Sequence, residues 1–167
     1  GNVSLDGGSF VFNESSADKD FRIESNGQAN MLFVDGGNDK VLIGTTASRS
    51  MFTVTPSFFI EGTDFNSSSM GIVKNSNDGA GGFLFLGKSK GTSNGSSTVV
   101  SSGNDLGSIA FAAADGTDMN SIAAMIVGGI SDDVSPGAND VPGTLKFATA
   151  SDGASDATHR MMIDQLG

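Results

Sequence analysis

Residues 31–45 read Met31-Leu32-Phe33-Val34-Asp35-Gly36-Gly37-Asn38-Asp39-Lys40-Val41-Leu42-Ile43-Gly44-Thr45. Two short apolar runs flank a turn of Asp, Gly and Asn. These residue types tolerate positive φ or bond their own backbone, so the stretch predicts a β-hairpin with strands at 31–35 and 40–44. The same order recurs across the two ends of the chain. It closes on Arg160-Met161-Met162-Ile163-Asp164-Gln165-Leu166-Gly167 and opens on Gly1-Asn2-Val3-Ser4-Leu5-Asp6-Gly7. Placed end to end, these read apolar run, Asp, Gly-containing turn, then Val-x-Leu. The pattern predicts a hairpin split between units, with 160–167 of one unit antiparallel to 2–6 of the next. The two could lie on one covalent chain or meet by strand exchange. The chain is then one unit of a longer, stacked array, and its first residue, Gly, implies that the natural N-terminus lies upstream.

The composition agrees with short strands and turns. Among 167 residues there are 24 Gly and 12 Phe, no Trp, Tyr or Cys, and only 3 Pro. Ser, Asn, Asp and Gly fill the stretches between apolar runs, unlike the Ala/Glu/Lys/Leu make-up of helical proteins. The length is enough for a domain with a core. A net charge of −10 repels phosphate backbones, which argues against nucleic acid as a partner. Acidity instead favours solubility and discourages edge-to-edge strand pairing. Without Cys there is no disulfide scaffold and no thiolate metal site. No apolar run approaches the length of a membrane span, so no membrane insertion is expected.

The apolar runs predict strands at 10–12, 21–24, 31–35, 40–44, 51–55, 58–61, 70–74, 83–87, 98–100, 107–112, 122–127, 143–149 and 160–164. The Ala content of 109–114 and 122–127 would also permit short helices. Both are too short to be stable alone and read as strands. Phe21-Arg22-Ile23-Glu24 and Leu145-Lys146-Phe147-Ala148 alternate as half-buried strands do. Phe83-Leu84-Phe85-Leu86 does not alternate, and reads as a strand buried on both faces at a subunit interface. The Ser/Gly/Asn-rich segment 87–104 reads as an exposed loop holding a short strand. Three blocks emerge, 1–50, 51–103 and 104–167, with no linker between them. The fold class is therefore all-β: short-strand, repetitive and elongated, an intertwined or stacked homotrimer.

Several segments resemble a module common in tail-fibre-like proteins of marine bacteriophages. These are Phe12-Asn13-Glu14, Asp20-Phe21-Arg22-Ile23-Glu24-Ser25, the hairpin of 31–45, and Gly107-Ser108-Ile109-Ala110-Phe111 with Ala114-Asp115-Gly116-Thr117-Asp118. Pro136-Gly137-Ala138-Asn139-Asp140-Val141-Pro142-Gly143-Thr144-Leu145-Lys146-Phe147 resembles it too. His159-Arg160-Met161-Met162-Ile163-Asp164 is similar to the Glu-Arg-Met-Arg-Ile-Asp run of such proteins. The likeness spans nearly the whole chain. It implies a non-enzymatic structural segment of a virion fibre, extracellular, that holds a host-recognition tip. Its partners would be copies of itself and other virion tail or fibre proteins. In that family such segments usually precede a chaperone domain that trimerises the fibre and cleaves itself off, and no such domain is read here. Met162 stands where a charged residue is usual, and 125–133 is richer in Gly and apolar residues than an exposed connection. Both departures point to subunit contacts. The assembly candidates are accordingly Phe83, Leu84, Phe85, Leu86, Met161, Met162, Ile163, Val3 and Leu5.

Patterns that suggest chemistry are outweighed. Gly82-Phe83-Leu84-Phe85-Leu86-Gly87-Lys88-Ser89 has the letters of a phosphate loop. Its loop positions, however, are an apolar strand, and Lys90-Gly91-Thr92-Ser93-Asn94-Gly95 cannot open the helix that such a loop requires. Gly91-Thr92-Ser93-Asn94-Gly95 matches the nucleophile elbow and lacks its helix as well. The single His, His159, lies far from Ser93 in sequence and reads as a solvated side chain. Nineteen Asp and Glu give no specific carboxylate pair, and the spacing of Asp35, Asp39, Asp132 and Asp133 matches no calcium loop. No catalytic, cofactor-binding or metal residue is assigned, and no cofactor. Rival readings are a glycan-binding module using loops 87–104 and 131–143, a head-decorating or free filament protein, and a polysaccharide-degrading tailspike. Against sugar recognition stands the absence of Trp and Tyr, whose rings stack on sugars while their polar ends reach water.

Overall fold

The structure, a computed structural model, describes residues 7, 11–13 and 15–167. Among these there is no helix. Eight strands form two four-stranded sheets. The chain divides into two compact units, Gly1–Ser50 with Val54–Gly71, and Met51–Thr53 with Ile72–Gly167.

The first unit holds β1 (Phe21–Ile23), β2 (Leu32–Asp35), β3 (Lys40–Ile43) and β4 (Phe58–Ile60), in that spatial order. The predicted hairpin is present: β2 and β3 are antiparallel, closed by the pair Asp35–Lys40. Its turn is organised by one carboxylate. Asp35 Oδ1 accepts the backbone N–H of Gly37 at 3.1 Å and of Asn38 at 2.9 Å, and the Asn38 amide donates to both carboxylate oxygens. Asp39 takes the positive φ of 56° that lets the chain re-enter the ladder. β4 runs parallel to β3. That approach depends on Gly44, with φ +83°, whose missing side chain leaves room for the Glu61 carbonyl. Leu42 is fully buried and Phe59 nearly so, and these two form the core of this unit.

The second unit is an antiparallel meander of β5 (Asp105–Ala113), β6 (Ser121–Ile130), β7 (Gly143–Ala150) and β8 (Ala157–Ile163). The β5–β6 turn repeats the carboxylate device: Asp115 Oδ1 accepts from Thr117 N at 2.8 Å and Asp118 N at 3.1 Å, beside Gly116 at φ +96°. Both Ala-rich segments are strands, as read. Val127, Ile130, Ile122 and Ala148 are buried. Ser131, also buried, ties the end of the sheet together. Its hydroxyl bonds the Gly143 carbonyl and the Gln165 side chain, and its carbonyl accepts from Gly103 N and Ser102 Oγ.

Other readings need correction. The strand predicted at 51–55 is a turn, because Phe52 and Thr53 have φ of 47° and 65°, outside the β region. Residues 70–74, 83–87 and 98–100 belong to no ladder. They have the apolar content of strands but pair with no strand among the described residues, although the Thr98 carbonyl accepts from Lys90 N at 3.2 Å. Residues 125–130, read as part of a connection, lie inside β6, and this accounts for their apolar character. Of the predicted strand at 10–12, residue 10 lies outside the described residues, and the described Val11 and Phe12 are in no strand.

Candidate functional site

Residues facing each other across neighbouring strands lie on the same side of a sheet, and alternate residues of one strand lie on opposite sides. The register of the second sheet therefore sorts its side chains. One side carries Ser108, Val127, Lys146 and Met162 as one cross-strand row, with Ala110, Met125 and Ala148 in the next. Val127, Lys146 and Ala148 are buried there. The Lys146 ammonium lies 3.9 Å from the Asp105 carboxylate.

The other side carries Ile109–Ile126–Phe147–Met161 as one row, Gly107–Gly128–Leu145–Ile163 as the next, and Phe111–Ala124–Thr149 as a third. Ile109, Phe111, Leu145, Met161 and Ile163 are exposed, Ile126 and Phe147 half-buried. Space above Gly128 is open. At the β5 corner Leu86 packs over Gly107, where any side chain would collide with it. The alternation of Leu145-Lys146-Phe147-Ala148 is thus real but inverted from the usual sense: the charge is inside, the leucine outside.

Of the assembly candidates, Phe83, Leu84, Phe85 and Leu86 are exposed, with the rings of Phe83 and Phe85 stacked 5.2 Å apart. This corrects their reading as a strand, since among the described residues no strand pairs with them. Met161, Met162 and Ile163 lie in β8, an edge strand of the sheet, and are exposed. They divide between faces: Met161 and Ile163 on the apolar side, Met162 on the other. Val3 and Leu5 lie outside the described residues. Sequence reasoning missed Ile109, Phe111, Ile126, Leu145 and Phe147. Their signal was the period-two spacing, but spacing does not say which side faces outward.

A cleft of about 850 Å³ lies in the same unit, lined by residues 87–89, 96–97, 99–100 and 136–138 with Leu106 and Val141. Loops 87–104 and 131–143 therefore do meet. Lys88 is the one charged side chain in the lining, and no aromatic ring is present. The segment after Lys88 and Ser89 forms no helix, so the letters of the phosphate loop do not take that geometry. Neither does a helix follow Ser93. Among the described residues no group of three or more His, Asp or Glu is placed to hold a metal ion. Asp35, from the candidate cation set, spends its carboxylate on its own turn.

No protein-family model matches the chain, and no curated protein matches it.

Proposed function

We propose that this chain is a non-enzymatic structural segment of a virion fibre of the bacteriophage tail-fibre type, working as a homo-oligomer, most simply a trimer, that holds a host-recognition tip. The sequence resemblance supplies the type of fibre. The observation that carries the oligomer is the surface left open. Among the described residues, 25 large hydrophobic side chains are exposed, against six hydrophobic residues that are buried. Exposed apolar surface and open strand edges are aggregation hazards unless a partner covers them. Copies of the same chain cover them most economically, since homo-oligomers with closed symmetry are the commonest assemblies.

Two measurements test this reading. Sedimentation of the purified chain at micromolar concentration gives a multiple of 16.9 kDa, and its melting temperature rises with concentration. Antibody against the chain labels the fibres of intact virions under the electron microscope. A folded monomer with a sharp, concentration-independent transition overturns the oligomer, and labelling elsewhere than on a fibre overturns the virion role.

The cleft between loops 87–104 and 131–143 favours a second reading, a host-surface glycan-binding module. Binding of the isolated chain on a glycan array, lost on filling the cleft with Ser97→Phe, is the result that supports it.

A further inference from the structure

We propose that the apolar side of the β5–β8 sheet, centred on Ile109, Ile126, Phe147 and Met161, is the surface through which one copy of this chain docks on a second copy. This rests on the oligomeric reading above and names the face that reading leaves open.

Three observations converge on it. The first is the inversion. A four-stranded sheet in water turns its apolar residues in and its charges out. Here Lys146 is buried beside Asp105, while Leu145 on the next residue is exposed in company with Ile109, Phe111, Met161 and Ile163. Burying a lysine while exposing isoleucine, phenylalanine and leucine costs free energy on both counts. The arrangement becomes favourable once the outer side is covered.

The second observation is charge. Each copy carries −10, so two copies repel unless they meet through a surface without carboxylates. The three cross-strand rows of this side, from Gly107 to Ile163, contain no carboxylate, and the charge that reaches them is cationic, the Arg160 guanidinium bonding Thr149 Oγ1 at 3.2 Å. The same acidity disfavours an anionic membrane or a nucleic acid as the occupant. The third is extent. The exposed apolar residues run across the sheet from β5 to β8, so they form one face rather than scattered side chains. Leu86, seated on Gly107, carries the apolar surface on into Phe83–Phe85 at one corner.

Adjacent methionines provide the test. Met161 and Met162 are 52% and 53% exposed in the single chain, yet they face opposite sides of β8. The chain has no cysteine, so Met161→Cys and Met162→Cys each introduce a lone thiol. In protein that sediments as an oligomer, the thiol of the Met161→Cys variant is alkylated at least about tenfold more slowly than that of Met162→Cys, because only the former needs the interface to open. Dilution to the monomer abolishes the difference. Equal rates in an intact oligomer overturn this face and leave the oligomer standing. A folded monomer overturns both readings. Slow alkylation of Met161→Cys in a monomer overturns the self-docking, because a segment of the same chain is then the cover. Met161→Lys and Met162→Lys give an independent reading: the first shifts the oligomer to monomer in sedimentation with β-sheet circular dichroism retained, and the second does not. Dissociation by neither or by both counts against the proposal.

Discussion

Leu42 and Phe85 both sit in apolar runs, at opposite ends of the exposure range. Leu42 is 0% exposed and Phe85 84%. Truncating Leu42 to Ala removes buried methyl groups and leaves a cavity, so the first unit should lose about 2–5 kcal/mol in denaturant unfolding. Phe85→Ala should change the stability of the monomer by no more than about 0.5 kcal/mol, the range for surface changes. At assembling concentrations it should lower the melting temperature, if the ring belongs to an interface. An equal loss at every concentration would place Phe85 inside the single-chain fold. Carboxylates make a second prediction at this scale. Backbone N–H bonds from Thr117 and then Asp118 hold the Asp115 carboxyl below its ordinary 3.8. Ser67 and then Asn66 do the same for Asp64, and Lys74 followed by Ala80 and Ser76 for Asp78. The folded state therefore binds fewer protons than the unfolded one. The stabilisation is full above the unfolded value and is lost as pH falls through the lower folded values. Asp115→Asn keeps an acceptor and removes the titration. The wild-type advantage should be constant above about pH 5 and shrink at lower pH. An advantage that stays flat to acid pH would show that the turn does not depend on the charge.

At the scale of the element, the turn after β8 resembles the turn of the β2–β3 hairpin. Asp35 accepts from the N–H two residues on, Gly37, at 3.1 Å, and Asp164 accepts from the N–H two residues on, Leu166, at 2.8 Å. Gly167 N closes on the Asp164 carbonyl at 3.2 Å. Gln165 is anchored to buried Ser131. The chain end is thus set in a turn organised by Asp164, beside an edge strand. The split hairpin expected from the sequence would pair this end with residues 2–6 of another unit, and those residues lie outside the described ones. Removing all of 160–167 would also strip β7 of most of its pairing with β8, since Met161, Met162 and Ile163 pair with Phe147, Lys146 and Leu145. Asp164→Ala is the cleaner change. End-to-end association should weaken about fivefold to tenfold, the worth of roughly 1 kcal/mol of turn hydrogen bonding. The unfolding of the β5–β8 sheet should stay the same. Unchanged association in light scattering would end the split-hairpin idea.

For the whole molecule, acidity and apolar surface act against each other. Copies at −10 repel over the screening length, which shrinks from about 30 Å at 0.01 M salt to about 8 Å at 0.15 M. If apolar faces drive association, added sodium chloride should tighten it, because screening removes repulsion while leaving apolar burial intact. Association held by ion pairs would weaken instead. Sedimentation across that salt range separates the two outcomes, and weakening would count against the apolar face.

Local chemistry made much of this protein legible before folding was considered. The hairpin at 31–45 follows from an Asp that can bond its own turn and from residues that accept positive φ, all within fifteen positions. The all-β class follows from period-two apolar runs broken by Gly, Asn and Asp. Even the Ala-rich segments at 109–114 and 122–127 resolve as strands, because they are too short to sustain a helix. What local pattern cannot encode is partnership. Residues 83–87 have a strand's composition and no ladder, since a ladder needs a second segment brought from elsewhere. The turn at Phe52 and Thr53 arises where Met51 bridges to Met119, a contact across 68 positions. Above all, Leu145-Lys146-Phe147 shows alternation whichever side faces water. Only the burial of Lys146 with Val127 and Ala148, on the side that the register of β5 to β8 defines, reveals that lysine goes in and the apolar residues go out, because the face a strand presents is decided by what packs against it and not by its own period.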